Sequence, residues 1–284
     1  MIQIGFPKWV QGHYLSFDAP DLIPQEVTDR IRKGFAEQNK ETPRVSIVVI
    51  AYNEEKTILK SLSSLSALKS KYPIEVIVSN NNSTDRTQEI LDRCGVKSVF
   101  QPLQGVGFAR DAGLQIAKGE FHLCADADSI YPPRYVDEMV DLLIQKKAVC
   151  VYGRVSFLPD GNKSRMTLAF YEFFKDIAIG LRAIKRPELV AGGASLGFQT
   201  EMAKEIGWRT DVNRGEDGQM VLAIKSRGEI RMVKSRASRI WTTARTLDRD
   251  GSFVKMVSKR VWKEFSRIGF YFTSYSEKIQ ERKA

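Results

Sequence analysis

The chain has 284 residues, of which 43% are hydrophobic and 27% charged, and these values are ordinary for a soluble globular protein. Its formal net charge of +10 favours a polyanionic partner: nucleotide phosphates, an anionic membrane face or nucleic acid. No apolar run approaches the roughly 20 residues that span a bilayer, and the start lacks a signal-peptide pattern, so we expect a cytoplasmic protein without transmembrane helices. Three widely spaced cysteines outside any C-x-x-C pair are interpreted as reduced structural thiols.

Residues 1–43 mix prolines and aromatics and predict an N-terminal arm with a helix near 25–38. From Val45 onward, short β-branched apolar runs alternate with segments of helical periodicity. This alternation predicts right-handed βαβ units and a mainly parallel sheet flanked by helices. The predicted strands are 45–51, 74–79, 97–100 and 121–125. Two of the predicted helices span about 54–68 and about 105–117. One further helix begins with Ser83 or Thr84 as its N-cap, and another begins at Pro132.

Two carboxylates, Asp126 and Asp128, directly follow the fourth predicted strand. Ligands of open parallel sheets bind beyond the carboxyl ends of the strands, and Asn53 and Asn80 fall at two other such ends. A pair of carboxylates there is suited to holding a divalent cation against a diphosphate. The pattern therefore favours a transferase that acts on a nucleotide-activated substrate.

The second half of the chain is less regular. A strand is predicted near 148–157, followed by a long aromatic helix at about 165–185, a strand leading to Phe198 and a helix closed by Gly207. A second acidic pair, Glu216 and Asp217, follows a turn and opens a further helix. One acidic pair could carry a metal and the other a catalytic base.

The order of these motifs resembles the family 2 glycosyltransferases, inverting enzymes with the nucleotide-sugar-binding GT-A fold. The similarity covers about residues 44–247. In chain order the matching segments are 48–55, 75–85, 107–113, 117–120, 126–128, 192–193 and 214–217. The resemblance implies an α/β fold of the Rossmann-like GT-A type, with residues 44–130 as the nucleotide-binding half and 131–250 as the acceptor-binding half.

The resemblance also implies roles for individual residues. Asp128 is expected to ligate Mn²⁺ or Mg²⁺, with Asp126 reaching the ribose or binding the metal through water. Asp217 is the expected general base and Glu216 the second candidate. The residues expected to bind the nucleotide sugar are Tyr52, Asn53, Glu54, Asn80, Arg110, Asp126, Gly192 and Gly193. For Arg110 an ordinary helix-surface position remains open, as does a simple tight turn for the two glycines.

The chain departs from the family pattern in several places. Asn80 stands where an aspartate commonly binds the base, which leaves the identity of the base open. Asp111 replaces the usual asparagine. A Q-x-x-R-W motif, typical of processive members, is absent, and this favours the addition of a single sugar. Thr242, Thr243 and Arg245 lie where related enzymes carry a loop over the diphosphate, without the histidine that some of them use as a metal ligand.

Residues 251–284 interleave lysines and arginines with aromatic and aliphatic residues. This basic amphipathic segment predicts a C-terminal helical extension that either lies on an anionic membrane or packs with its charged face solvated. A membrane position on the inner face of the cell membrane would suit a lipid-linked acceptor; a glycan with a free hydroxyl is the other acceptor class. Two rival functions remain: a nucleotidyltransferase on a similar scaffold, and a non-catalytic protein that binds a nucleotide sugar or nucleic acid. No compact nucleic-acid recognition motif is present, so we expect no nucleic-acid partner.

Overall fold

The computed structural model describes residues 5–39, 42–145, 148–159, 163–184, 186–212 and 214–248. Its strands are β1 (Val45–Ala51), β2 (Ile74–Asn80), β3 (Lys97–Phe100), β4 (Phe121–Asp126), β5 (Ser129–Ile130), β6 (Cys150–Tyr152), β7 (Val155–Phe157), β8 (Leu196–Gln199), β9 (Ile230–Met232) and β10 (Ile240–Thr242). Its α-helices are α1 (Lys8–Gln11), α2 (Gln25–Gln38), α3 (Ile58–Leu65), α4 (Thr87–Cys94), α5 (Val106–Ile116), α6 (Tyr135–Gln145), α7 (Arg165–Ala183), α8 (Thr200–Ile206), α9 (Glu216–Lys225) and α10 (Arg245–Asp248). The predicted C-terminal extension at 251–284 lies outside the described residues.

A seven-stranded sheet forms the centre, with the strand order β3-β2-β1-β4-β8-β6-β9. β1 pairs in parallel with β2 and β4, and β2 pairs in parallel with β3, as the alternating pattern predicts. β5, β10 and β7 form a second, three-stranded sheet. The α/β class and the mainly parallel central sheet are therefore confirmed.

The buried β1 strand explains how helices cover both faces of the sheet. Because side chains alternate along a strand, Ile47 and Val49 join the large core cluster while Val48 packs in a separate cluster on the other face. Gly113 of α5 lies against Val48, where an added Cβ would come within 2.2 Å of Val48 Cγ1. Only a glycine at this position lets α5 lie so close to the sheet.

β8 runs antiparallel to both β4 and β6, so the second half of the sheet is mixed. One strand prediction needs correction. The single strand predicted at 148–157 is two strands, because the chain leaves the central sheet at Gly153 and β7 joins the small sheet. An added Cβ at Gly153 would lie 2.2 Å from Ser195 Oγ, so the chain turns there in close contact with the loop before β8.

The N-cap prediction for α4 is also wrong. The helix begins at Thr87, and neither Ser83 nor Thr84 caps it. Asp85 Oδ1 accepts the Thr87 N–H at 3.0 Å instead. Ser83 Oγ accepts the Asn53 N–H at 3.0 Å, so the polar turn ties the ends of β1 and β2 together rather than starting a helix.

Candidate active site

The ends of three parallel strands bring the first group of predicted site residues to one edge of the sheet. Ala51 is in register with Asn80, and Ile50 with Asp126. Tyr52 and Asn53 follow β1 directly. The sequence order alone predicts this convergence, because parallel strands end at the same edge.

Asn53 and Asn80 are engaged within the protein. Asn53 has a φ of 53°, and its Oδ1 accepts the Thr84 N–H at 2.8 Å. The buried Asn80 donates from Nδ2 to Gln88 Oε1 at 2.8 Å and accepts the Ser83 N–H at 3.1 Å. Both amides thus shape the turns that line the edge, and the Asn80 amide has one further donor hydrogen and one further acceptor lone pair beside the two bonds that it makes here.

Tyr52 and Glu54 have different surroundings. Tyr52 is 47% exposed, and its hydroxyl accepts a hydrogen bond from Gln104 Nε2 at 3.0 Å. This leaves a broad aromatic surface open at the sheet edge. Glu54 Oε1 accepts from Arg245 Nη2 at 2.7 Å, and burial raises the pKa of Glu54 while Arg245 opposes the rise.

Asp128 is held from the far end of the described chain. Its Oδ1 accepts from the Thr242 hydroxyl at 2.9 Å, and its Oδ2 accepts from the Thr243 hydroxyl at 2.5 Å and from Arg245 Nη2 at 2.9 Å. Arg245 therefore bridges the carboxylates of Asp128 and Glu54. Thr242, Thr243 and Arg245 were expected from the sequence to lie over the diphosphate. Their contacts with Asp128 join positions more than a hundred residues apart, and no local sequence pattern indicates them.

Arg110 is not a helix-surface residue. Its side chain is 2% exposed, and it donates to Ala125 O at 3.1 Å and to Asp126 Oδ1 at 2.8 Å. Its Nε lies 3.9 Å from Asp217 Oδ1. One buried guanidinium thus connects the first acidic pair with the second.

Asp217 lies in the first turn of α9 and points at the loop before β8. Its Oδ2 accepts the Gly193 N–H at 2.8 Å. Its Oδ1 has no hydrogen-bond partner within the part of the chain that the structure describes. An added Cβ at Gly193 would lie 2.0 Å from Arg110 Nη2 and 2.6 Å from Asp217 Oδ1, so the glycine permits the close approach.

The remaining two predicted residues are less involved. Gly192 has open space around it, since an added Cβ would meet nothing within 4 Å. Glu216 is buried beside Asp217. The two glycines thus differ: Gly193 is sterically constrained and Gly192 is not.

Burial changes the acidity of the site. It raises the pKa of Asp217 above its usual range, with Arg110 opposing the rise and Glu216 adding to it. Burial also raises the pKa of Asp126 to about 6, opposed by Arg110 and aided by Asp128 and Asp217. Asp217 is consequently a stronger base than an exposed aspartate, as proton abstraction requires.

Two tyrosines that the sequence did not single out connect the halves of the site. The Tyr131 hydroxyl accepts the Asp126 N–H at 2.8 Å and donates to Ala194 O at 3.1 Å. The Tyr135 hydroxyl bonds Ser195 Oγ at 3.2 Å. They hold the loop around Gly193 against the Asp126 turn, and their only sequence signal is their position just after the acidic pair.

The donor set for a metal is limited to carboxylates on this turn. No group of three or more His, Cys, Asp or Glu residues that could hold a metal ion occurs among the described residues. Asp126 and Asp128 supply two carboxylates, and Mg²⁺ or Mn²⁺ can take its remaining ligands from water and phosphate. This donor set fits such a cation better than it fits a metal that needs a closed cage of protein ligands. A cation at Asp128 would have to replace Arg245 there.

Comparison with known proteins agrees with this architecture. The profile described as Glycosyl transferase family 2 matches residues 46–207, more than half of the chain. The chain therefore belongs to glycosyl transferase family 2.

Curated relatives match over part of their length. The putative glycosyltransferase EpsH of Bacillus subtilis (strain 168) is 34% identical over 105 residues, which is 35% of this chain and 30% of the relative. The chondroitin synthase of Escherichia coli is 24% identical over 208 residues, which is 69% of this chain and 29% of the relative. The chain spans about a third to a half of the curated relatives that it matches.

Solved structures share the fold. The mannosyltransferase PcManGT from Pyrobaculum calidifontis, in complex with GDP-Man and Mn²⁺, has a TM-score of 0.58 at 18% identity, covering 87% of this chain and 80% of that chain. S. aureus TarS 1-349 in complex with UDP-GlcNAc has a TM-score of 0.52 at 18% identity, covering 80% of this chain and 66% of that chain. The predicted GT-A fold is confirmed.

Proposed function

We propose that the protein is an inverting glycosyltransferase that moves one sugar from a nucleotide diphosphate sugar to a hydroxyl acceptor. The observation that carries the proposal is the position of Asp217 Oδ1, which is buried without a hydrogen-bond partner among the described residues and lies across the buried Arg110 from Asp126. The buried guanidinium of Arg110 thus lies between the candidate base, Asp217, and Asp126, the carboxylate on the diphosphate side. Membership of the family and its GT-A fold support the same reading.

The donor lies along the sheet edge in this proposal. The exposed ring of Tyr52 offers a stacking surface for the base, and the turns of Asn53 and Asn80 form the floor of the pocket. Glu54 and Asp126 are placed near the ribose and diphosphate.

Asp128, with Asp126 beside it, would hold Mn²⁺ or Mg²⁺. When bound, the metal would supply a Lewis acid that neutralises charge on the departing diphosphate. The structure of the mannosyltransferase PcManGT contains GDP-Man together with Mn²⁺, which supports this choice of cofactor.

Asp217 performs the proton transfer. Its unpartnered Oδ1 accepts the proton of the acceptor hydroxyl while that oxygen forms a bond to the anomeric carbon. The bond from the anomeric carbon to the diphosphate breaks on the opposite face, and its electron pair leaves with the nucleoside diphosphate. The Gly193 N–H and Arg110 hold the carboxylate in place during this displacement.

The acceptor is a hydroxyl of a glycan, a glycolipid or a cell-envelope polymer. We place the protein in the cytoplasm, peripheral on the inner membrane face through residues 251–284, with residues 1–43 as an arm on a 44–250 catalytic domain. Among the described residues, no helix is long and apolar enough to cross a membrane.

A thermal-shift panel of UDP, GDP, dTDP and CMP, each with and without Mn²⁺, tests the donor site. The proposal predicts a metal-dependent rise in melting temperature with one nucleotide, because a ligand that binds only the folded state stabilises it. The sugar nucleotides of that base are then incubated with the protein, and slow release of the nucleoside diphosphate is measured. Nucleotide binding with no such release in any preparation would favour a non-catalytic binding protein.

A further inference from the structure

Helix α7 carries its apolar residues on the outside. Seven large apolar side chains, 40–67% exposed, recur at intervals of three or four residues and therefore share one face of the helix. At 1.5 Å per residue this face is about 27 Å long. These residues, here called the α7 stripe, are Met166, Phe170, Phe173, Phe174, Ile177, Leu181 and Ile184.

The charged face of α7 points into the protein instead. Glu172 accepts from the Phe157 N–H at 2.7 Å, from Ser156 Oγ at 2.9 Å and from both terminal nitrogens of Arg165 at 2.7 Å. Lys175 donates to Val155 O at 2.9 Å. Rolling the helix to bury the stripe would break these bonds and leave the buried Phe157 N–H and Ser156 hydroxyl without their carboxylate partner. The outward orientation of the stripe is therefore fixed.

Asp176 extends this inward network. It accepts from Arg239 Nη1 at 2.5 Å and lies 3.5 Å from Arg154 Nη1. These bonds attach the middle of α7 to β7 and to the segment before β10. The helix is thus anchored along the charged face of its first three turns.

A cationic surface adjoins the stripe. A cavity of about 400 Å³ lies between α7 and residues 234–239, and Phe173 and Ile177 of the stripe form part of its wall. The cavity brings together four cationic residues, Arg154, Lys234, Arg236 and Arg239, against two acidic ones, Glu172 and Asp176. Because Lys234 and Arg236 are exposed, the rim beside the apolar stripe is positively charged.

We propose that the α7 stripe is a membrane-docking surface for an anionic phospholipid bilayer. The helix lies in the plane of the interface, with the stripe among the acyl chains and Lys234 and Arg236 against the headgroup phosphates. An apolar face bordered by cations matches an anionic lipid surface, which offers hydrocarbon and phosphate side by side. The formal net charge of +10 favours the same partner.

The docking surface is joined to the candidate active site. Between the end of α7 and Gly193 the chain forms a short 3-10 turn at Pro187–Leu189 that packs on α9, the helix carrying Asp217. An acceptor that reaches Asp217 from this side would come from the bilayer, so the substrate class is a lipid-linked hydroxyl. This last step rests on the proposed function, whereas the docking itself does not.

Vesicle flotation of the full-length protein tests the docking. Vesicles of phosphatidylcholine mixed with phosphatidylglycerol should carry the protein, and pure phosphatidylcholine should carry much less. Phe170→Gln/Phe174→Gln should lower the partition coefficient at least about tenfold, because each buried phenyl ring contributes roughly 1 kcal/mol or more to insertion. Lys234→Gln should lower binding to the anionic vesicles and reduce its dependence on salt.

Leu22→Gln/Ile144→Gln is the matched control. Both side chains are exposed apolar residues away from α7, 60% and 39% exposed, so this variant should float like the wild type. Wild-type protein that does not float, or a stripe variant that floats equally well, would overturn the proposal; the second result would assign binding to residues 251–284. A stripe variant that turns a dimer into a monomer in light scattering without lipid would overturn it in favour of a second copy.

The nucleotide thermal shift separates this proposal from the proposed function. The stripe variant should keep the nucleotide-induced shift, since the stripe residues are exposed on α7 and none of them is assigned to the nucleotide site. Flotation without any nucleotide response would refute the glycosyltransferase proposal and leave the docking surface intact. A nucleotide response without flotation would refute the docking surface and leave the glycosyltransferase proposal intact.

Discussion

Arg110 Nε lies 3.9 Å from Asp217 Oδ1, and both atoms are buried without a hydrogen-bond partner within the described residues. The same guanidinium is fully bonded on its other side to Asp126 and to the β4 backbone. The carboxylate oxygen is thus kept near a fixed positive charge without being saturated by it. We interpret this as a base that keeps Oδ1 without a hydrogen-bond partner until the acceptor hydroxyl binds.

Arg110→Met should destabilise the protein by about 2 kcal/mol, because it leaves Ala125 O and Asp126 without their buried donor. Urea denaturation measures the free energy of unfolding. Arg134→Met is the control: its side chain is 67% exposed and pairs with Glu138 at the surface, so the change should stay within about 0.5 kcal/mol. Equal effects of the two substitutions on the free energy of unfolding would show that the buried hydrogen bonds of Arg110 stabilise the protein no more than a surface ion pair does.

Gly193→Ala should reduce turnover about a hundredfold, because the new methyl group pushes Arg110 and Asp217 apart and displaces the base. Gly192→Ala, one residue earlier, meets open space and should retain most of the activity. Initial rates of nucleoside diphosphate release compare the two. Similar rates in both variants would contradict the assigned role of the Gly193 contact.

As the pH is lowered, the rate of sugar transfer should begin to fall at a higher pH than it would with an ordinary aspartate as the base. Asp217 must be deprotonated to accept a proton, and burial raises its pKa above 3.8, so the acid limb of kcat/KM shifts upward. A pH profile at saturating Mn²⁺ measures it, and Asp217→Glu should move the limb. An acid limb near 3.8 that is unchanged in Asp217→Glu would argue against this base.

Asp126 gives a stability prediction of defined sign. Its folded-state pKa of about 6 exceeds the model-peptide value of 3.8, so the folded protein binds this proton more tightly than the unfolded chain. The associated stability is present below about pH 4 and is lost as the pH rises through about 6. Metal-free unfolding curves of the wild type and Asp126→Asn, compared across this range, should show a smaller loss in Asp126→Asn, where only the other carboxyl groups with raised pKa values, Asp217 and Glu54, still contribute. A parallel pH dependence of both proteins would refute the assignment.

Arg245→Gln should strengthen the binding of Mn²⁺ in the absence of nucleotide by about two- to fivefold. The arginine is half exposed and competes for Asp128, and such a pair contributes up to about 1 kcal/mol. Electron paramagnetic resonance of free Mn²⁺ measures the affinity, with Arg134→Gln as the control. Weaker binding of Mn²⁺ in Arg245→Gln would show that Arg245 does not compete with the metal for Asp128.

The sequence predicted the parts of the fold that follow from periodicity. β1, β2 and β4 and their common edge follow from short apolar runs alternating with helices, which is why Asn53, Asn80 and Asp126 were expected to meet. The antiparallel direction of β8 was not predicted, because a short strand has the same pattern in either direction.

The long-range contacts at the site could not be predicted from the sequence. An arginine in a helix gives no local sign of being buried, so Arg110 could not be distinguished from a surface residue. The contacts of Thr242, Thr243 and Arg245 with Asp128 join positions more than a hundred residues apart. The aromatic helix was predicted, but which of its faces points outward depends on the partners of Glu172 and Asp176.

The most direct test of the central claim compares Asp217→Asn with the wild type in two assays. One measures sugar transfer or donor hydrolysis, and the other measures the thermal shift produced by the matching nucleotide with Mn²⁺. If Asp217 is the base, turnover should fall at least about a thousandfold while the nucleotide shift persists, because the amide keeps the shape but cannot accept the proton. Asp217→Asn that transfers sugar at a rate near that of the wild type, or that loses nucleotide binding together with activity, would contradict the claim.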